Sequence, residues 1–340
     1  MNLILSVVFF ILSAVLTKIF CVLAQGTRLM DKPNNRSMHS KPTIRGGGVV
    51  FISLSLLSIP VLCYLTQVSF YEQWVLALSI FMVAVVSFLD DLFHLSVKLR
   101  FLVQCTTALL VAVFIRPEQL DLDFFTINYS VLIVPLVFVV VLWAINHFNF
   151  MDGLDGFCAS QAVFLLAAYA VLFAIHGSSF YQGFCLALMC SLIGFLIFNF
   201  PPAKLFMGDI GSATLGLITF SISLIAQQKF QIPILYWFML NGLFLFDATC
   251  TLIRRMLNKE KWSMPHRKHA YQRLRQSGIA VHSILLGQVV INCCFFIFVI
   301  LVNTHVFGVN ILIPLQIGII LLIYYLIEKI FPMFQSGFSS

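Results

Sequence analysis

Residues 74–91 read WVLALSIFMVAVVSFLDD, a charge-free apolar run that ends on two adjacent carboxylates, Asp90 and Asp91. At about 1.5 Å of rise per residue such a run carries a helix across most of a ~30 Å hydrocarbon layer, and its length favours a helix over a buried strand. The pattern of apolar run and short polar break recurs along the chain. Eleven runs stand out, at 3–23, 47–63, 74–89, 101–115, 131–146, 157–174, 180–198, 212–226, 232–252, 284–302 and 311–330. Of the 340 residues, 61% are hydrophobic and only 10% charged, with mean hydropathy +1.01, so the chain lacks the polar surface a soluble domain of this size needs. The expected fold is all-α, a polytopic integral membrane bundle of about 11 transmembrane helices forming one domain over residues 1–340.

Assigning the connections alternately to two sides separates the cations sharply. One side collects those of 28–45, Lys98, Arg100, Lys204, the 254–275 stretch and Lys329, while the other holds only Arg116 and Lys229. Because Lys and Arg gather on the cytoplasmic side, the N-terminus is expected outside and the C-terminus inside. The first run begins without a basic segment and ends at Gln25-Gly26-Thr27 without a small-residue cleavage site, which makes it a spanning helix rather than a leader. Nine cysteines lie almost entirely inside the runs with no CxxC pair, so neither a disulfide framework nor a zinc site is expected. The net charge of +7 is accounted for by topology, and no basic helix interleaved with aromatics suggests nucleic acid.

The acidic residues fall in clusters on the cation-rich side. Asp90 and Asp91 arrive together at the membrane face, where two like charges repel and a bound cation would relieve them; a capped span end in contact with water is the plainer alternative. The stretch from Asn146 to Gly156 carries Asn149, Asp152 and Asp155 at i, i+3 and i+6, one broad face if helical, with Gly153 and Gly156 leaving room for a ligand. Asn149 and Asp152 as caps of the next span would explain one carboxylate but not two. In the third stretch, Asn199 to Ser212, Pro201 and Pro202 break a helix that restarts near Ser212, with Asp209 at its start; that is also a capping arrangement.

Two basic loops complete the pocket. The first holds Arg36, His39 and Arg45, and the second runs Pro265-His266-Arg267-Lys268-His269-Ala270-Tyr271-Gln272-Arg273. Such cations suit phosphate oxygens, although each alone could be a solvated topology determinant. Asp247 lies inside the ninth run, either as a functional carboxylate or as a partner for another helix.

Taken together, Asp31-Lys32-Pro33, Arg36-Ser37-Met38-His39, Arg45-Gly46-Gly47-Gly48, Asp90-Asp91, the Asn149–Gly156 stretch and Phe206-Met207-Gly208-Asp209-Ile210-Gly211-Ser212 resemble the polyprenyl-phosphate N-acetylhexosamine-1-phosphate transferase family. The resemblance covers nearly the whole chain. It implies transfer of a sugar 1-phosphate from a UDP-N-acetylhexosamine to undecaprenyl phosphate with release of UMP, at the cytoplasmic face of a bacterial inner membrane. It further implies Mg²⁺, with Mn²⁺ as a substitute, held by Asn149 and Asp209. Asp90, Asp91, Asp152 and Asp155 become the catalytic carboxylates. Lys98, Arg267 and His269 are expected on the phosphates, and Asn199, Arg45 and His39 complete the substrate-binding set. The site loops are expected near 26–46, 90–100, 147–156, 200–211 and 253–282. Where many relatives carry closely spaced histidines this chain has His266-Arg267-Lys268-His269-Ala270-Tyr271-Gln272, which looks like the branch that initiates O-antigen with GlcNAc, FucNAc or QuiNAc. Downstream glycosyltransferases and a second copy of the chain are compatible partners.

Other classes leave different traces. A lipid-linked sugar transporter would place ionisable residues near the bilayer midplane, whereas these collect at one face. A CDP-alcohol phosphotransferase would carry a denser Asp/Gly signature, which is absent here. The peptidoglycan branch, transferring phospho-MurNAc-pentapeptide, is the near alternative within the same resemblance.

Overall fold

A computed structural model describes residues 2–31, 42–261, 264 and 266–334. Within them the helices are α1 (Asn2–Leu23), α2 (Gly48–Thr66), α3 (Trp74–Phe93), α4 (Val97–Phe114), α5 (Ser130–Phe150), α6 (Phe157–Ile175), α7 (Ser179–Asn199), α8 (Gly208–Phe230), α9 (Leu235–Leu240), α10 (Gly242–Leu257), α11 (Ala270–Gln276), α12 (Val281–Asn303) and α13 (Val309–Ile330). Two antiparallel hairpins sit between helices. β1 (Met30–Asp31) pairs with β2 (Thr43–Ile44), and β3 (Leu120–Asp121) with β4 (Thr126–Ile127).

Ten of these helices, α1 to α8 with α12 and α13, are long and apolar enough to cross a membrane. The protein is an all-α polytopic membrane bundle. The ninth run differs from expectation because it breaks into α9 and α10 at Asn241. The Asn241 side chain is committed sideways: its amide nitrogen lies 2.7 Å from His147 Nε2, and its oxygen accepts from Gln161 Nε2 at 3.3 Å. Gln161 also accepts from Asn292 at 2.8 Å and Gln288 at 3.2 Å. This buried ladder ties α5, α6, α12 and the break together, pairing amide nitrogens that would be costly in hydrocarbon.

The bundle is built around α8, whose spanning window is 94% buried by other helices although its hydropathy of 1.5 is the lowest of the ten. It packs against α2, α3, α5 and α6. Three of its hydroxyls return to their own helix, Ser212 to Gly208 O at 3.2 Å, Thr219 to Gly216 O at 3.3 Å and Ser223 to Phe220 O at 2.7 Å, whereas those of Thr214 and Ser221 are buried without a partner among the described residues. Small residues let backbones meet. A Cβ on Gly216 would fall 2.1 Å from the carbonyl oxygen of Ala144 on α5. Close approach of this kind drives helix association in lipid, where burial of apolar surface contributes little.

Gly216→Leu should therefore separate α5 from α8, the two helices that carry Asn149 and Asp209. Overpacking of this sort costs about 1–3 kcal/mol or more. The variant should melt several degrees lower in detergent, and an unchanged transition would show that the contact is loose.

Candidate active site

The site is assembled from four connections at one end of the bundle. The segment after β2 runs alongside the segment before α8, with Phe206 N donating to Ile44 O at 2.8 Å, Gly47 N to Phe206 O at 3.0 Å and Gly48 N to Met207 O at 2.8 Å. This zipper carries Arg45 to the start of α8. There Arg45 pairs with Asp91, the last carboxylate of α3, and its Nη2 lies 3.7 Å from Asp209 Oδ1.

Asp91 is fully buried, and its two oxygens accept from Asp209 N at 3.2 Å and Ile210 N at 3.3 Å. A carboxylate delivered from α3 thus caps α8 in trans, satisfying free amides and facing the positive end of the helix dipole. The adjacent Asp90 takes Arg100 Nη1 at 2.5 Å, and the same nitrogen lies 3.4 Å from Asp209 Oδ2. Asp209, 28% exposed, stands between two arginines. It does not cap its own helix, which begins at Gly208 rather than near Ser212.

The Asn149–Asp155 stretch is not one helical face. α5 ends at Phe150, and a turn follows whose last residue, Gly156, has φ +73°. Only Asn149 is helical; Asp152 and Asp155 lie in the turn. Asp155 accepts from Ala203 N at 2.9 Å, and Asn199 bridges the loops, its oxygen accepting from Gly156 N at 3.1 Å and its nitrogen donating to Leu205 O at 2.9 Å. The 151–156 turn and the loop before α8 are thereby one unit.

Between these parts opens a cavity of about 710 Å³, with Arg45, Asp152, Asp155, Asn199 and Asp209 on its wall. Asp31, Phe206, Gln272, Arg275 and His282 complete the lining that matters here. Burial, then the neighbouring charges of Asp209, Asp91 and Asp155, push the Asp152 carboxyl up to about 8 despite the nearby Arg45.

Several expected residues stand elsewhere. Lys98 is exposed on the first turn of α4, and Arg100, two residues on, is the cation that enters the cluster; nothing in the sequence ranked the two beyond position. Asn149 is half-buried at the end of α5 and off the cavity wall. Arg267 and His269 are also off that wall. His269, 4% exposed, starts α11, with its Nδ1 3.6 Å from Asp247. Asp247 in turn accepts from Ala270 N at 2.9 Å and from Thr251 at 3.0 Å, so this buried carboxylate of α10 anchors the start of α11. Tyr271 then donates to Phe150 O at 3.2 Å, docking α11 on the turn that holds Asp152. His39 and Arg36 lie outside the described residues. Sequence reading singled out no role for Arg100, Arg275 and His282, which carry no motif of their own, and it read Gln272 only as part of the His266–Gln272 stretch.

Among the described residues no three His, Cys, Asp or Glu side chains form a metal-ligating group. The chemistry of the donor set nonetheless suits a hard divalent cation. Asp152 and Asp209 are neighbouring carboxylates on one cavity wall, and the crowding that raises Asp152 is relieved by positive charge.

Residues 73–227 match the family model described as Glycosyl transferase family 4. The chain is 33% identical over 267 residues to the probable undecaprenyl-phosphate N-acetylglucosaminyl 1-phosphate transferase of Bacillus subtilis (strain 168), spanning 74% of this chain and 71% of that one. It is 30% identical over 217 residues to a phospho-N-acetylmuramoyl-pentapeptide-transferase of Listeria monocytogenes serovar 1/2a, covering 56% and 64% of the two chains. A protein of the same description from Chlorobaculum tepidum is 25% identical over 238 residues, 60% and 63% of the two. The chain belongs to glycosyl transferase family 4. All the clustered carboxylates, from Asp90 to Asp209, fall inside the matched region, while Arg45 and α11 lie beyond it.

The raised Asp152 carboxyl has a sign that can be measured. Its usual value is about 4, so between that pH and about 8 the unfolded chain is ionised while the folded site keeps a proton, and stability falls as pH rises through this window. In EDTA, the melting temperature of the parent protein should drop from pH 5 to pH 8 more steeply than that of Asp152→Asn. Parallel curves would show that Asp152 ionises normally.

Proposed function

We propose that this protein transfers a sugar 1-phosphate from a UDP-N-acetylhexosamine to undecaprenyl phosphate, releasing UMP. The observation that carries the reading is Asp209 flanked by Arg45 and Arg100 on the wall of a cavity of about 710 Å³ in a membrane bundle. Such a reaction joins two anions, one soluble and one held in the bilayer, and demands charge neutralisation and in-line placement. The relatives named above, acting by their descriptions on undecaprenyl phosphate or on phospho-N-acetylmuramoyl-pentapeptide, support the same class.

The nucleotide sugar enters the cavity, where Phe206 offers a flat apolar surface to a base and Asn199 keeps the two loops in register. A lipid phosphate oxygen forms the new bond to the sugar-bearing phosphorus while the bridging oxygen leaves with UMP. Arg45 stabilises negative charge on the transferred group. Asp91 holds the start of α8 and with it Asp209, so its contribution is positional; Asp90 orients Arg100, and Asp155 orients the loop through Ala203. Asp209 and Asp152, with Asn149 at the head of the same turn, are the residues that would hold Mg²⁺; Mn²⁺ shares that preference for oxygen. When bound, the cation neutralises pyrophosphate charge and stabilises the charge that builds on the transferred phosphoryl group.

The excess of Lys and Arg on the side of these loops supports a site facing the cytoplasm of a bacterial inner membrane, with the N-terminus outside. The sequence around His269 favours an O-antigen-type donor over the pentapeptide donor.

Purified protein with undecaprenyl phosphate, Mg²⁺ and a panel of UDP-sugars should release UMP and form a lipid-linked product with at least one N-acetylated hexosamine. Absence of turnover across the panel would end the transferase reading. Asp209→Asn and Asn149→Ala should each abolish Mg²⁺-dependent turnover in protein that still melts cooperatively, and a variant with parental turnover would lose its place as a ligand.

A further inference from the structure

Behind the turn that carries Asp152 lies a second cavity, a fissure of about 220 Å³. Ile284, Gly287 and Ile291 of α12 and Ile320, Ile323 and Ile327 of α13 form its long walls, and Leu274 and Ile279 close one end. Its rim opens between these two candidate spans: Ser283 is exposed, Gly287, Ile291 and Ile323 are half-buried, and a Cβ on Gly287 would meet nothing within 4 Å. Apolar cavities of about 150 Å³ already stay dry and take up apolar molecules. The amide nitrogen of Gln288 on this wall donates to Phe157 O at 3.1 Å, and the one acceptor left over, its Oε1, is too little to hold a water, which needs about two to four polar partners. The space is one for hydrocarbon, and the bilayer is its source.

No residue lines both this fissure and the catalytic cavity. Met151, Phe157 and Tyr271 form the partition, with Asp152, Gly153 and Gln272 on its other side. Tyr271 stacks on Phe157 with ring centroids 4.7 Å apart, and Phe157 on Phe244 at 4.8 Å. A phosphate at the end of the fissure is therefore walled off from Asp209. At that end stands Arg273, one residue before Leu274, with its guanidinium 5.1 Å from the ring of Tyr324, another lining residue. Arg273 commits Nη1 to Glu328 and to Phe331 O, while its Nε and Nη2 have no partner among the described residues. A guanidinium that is 1% exposed and has an unpaired edge calls for an anion, and that edge is the fork that takes two phosphate oxygens at once.

We propose that this fissure is a binding site for a phospholipid of the surrounding leaflet, with one acyl chain between α12 and α13 and the phosphate on the Nε–Nη2 edge of Arg273. The bound chain fills the space behind Tyr271 and Leu274 and so braces α11, whose Gln272 lines the catalytic cavity, from the side away from that cavity. The lipid touches no reacting group, and the site is independent of the transferase reading.

The test uses the full chain, stripped of lipid in a maltoside detergent and titrated with phosphatidylglycerol or with the matching diacylglycerol, which lacks the phosphate. Phosphatidylglycerol should raise the melting temperature by several degrees and slow hydrogen exchange of the Ala270–Gln276 amides about tenfold, and diacylglycerol should do less. Gly287→Phe, whose side chain enters open space, should fill the fissure from within: the lipid-free variant should melt at or above the lipid-free parent, and neither lipid should move it. Gly287→Leu, which needs less room, should weaken the response in the same direction. Leu286→Phe, at a neighbouring position that is 65% exposed, should respond as the parent does. Arg273→Lys keeps a cation for Glu328 without the fork and should respond equally to the two lipids. A Gly287→Phe variant that responds to phosphatidylglycerol as the parent does would overturn the site, and so would a parent that responds to neither lipid. An Arg273→Lys variant that still prefers phosphatidylglycerol would overturn the phosphate contact. Displacement of phosphatidylglycerol by undecaprenyl phosphate mole for mole, read by native mass spectrometry, would give the fissure to the acceptor and overturn its assignment to phospholipid.

Discussion

The capping of α8 by Asp91 is the contact on which the rest of the site depends. It joins the end of one membrane helix to the beginning of another, and both ends carry the charged groups that meet there. Arg45 makes the buried carboxylate tolerable, and the zipper of residues 44–48 with 206–207 makes Arg45 available. An unpaired carboxylate at that depth would be expensive, so the cap, the ion pair and the zipper stand or fall together.

A second layer of restraints comes from the other side. Asp247 fixes the start of α11, Tyr271 seats α11 on the turn after α5, and Asn199 fastens that turn to the loop before α8. The end of α13 contributes as well, since Glu328 binds Arg254 and Arg273 at 2.6–2.9 Å and so clamps α10 and α11. The cavity is therefore bounded by elements from the beginning, middle and end of the chain. Positioning of this kind keeps a phosphoryl-transfer site within fractions of an ångström of its working geometry.

Much of this could be read from the residues in order. Long apolar runs announced the bundle, and the carboxylate motifs announced where charge would gather. What the sequence concealed was which partner each charge takes. Lys98 and Arg100 differ by two positions on one helix, a rotation of about 200° that sends one to solvent and the other to Asp90 and Asp209. The i, i+3, i+6 spacing of Asn149, Asp152 and Asp155 imitated a helical face, but the chain leaves the helix at Phe150 and turns through a left-handed glycine. The ninth span looked continuous because apolar content does not register a sideways commitment such as that of Asn241 to His147 and Gln161.

The near-complete enclosure of α8 bears on how the protein enters its membrane. A helix with the weakest hydropathy of the ten gains least from lipid, and its hydroxyls and glycines are suited to neighbours that must already be present. The contacts that enclose α8, Asp91 of α3 at its start and the backbone of α5 against Gly216, are the same contacts that fix Asp209, so the packing of the helix and the building of the site cannot be separated.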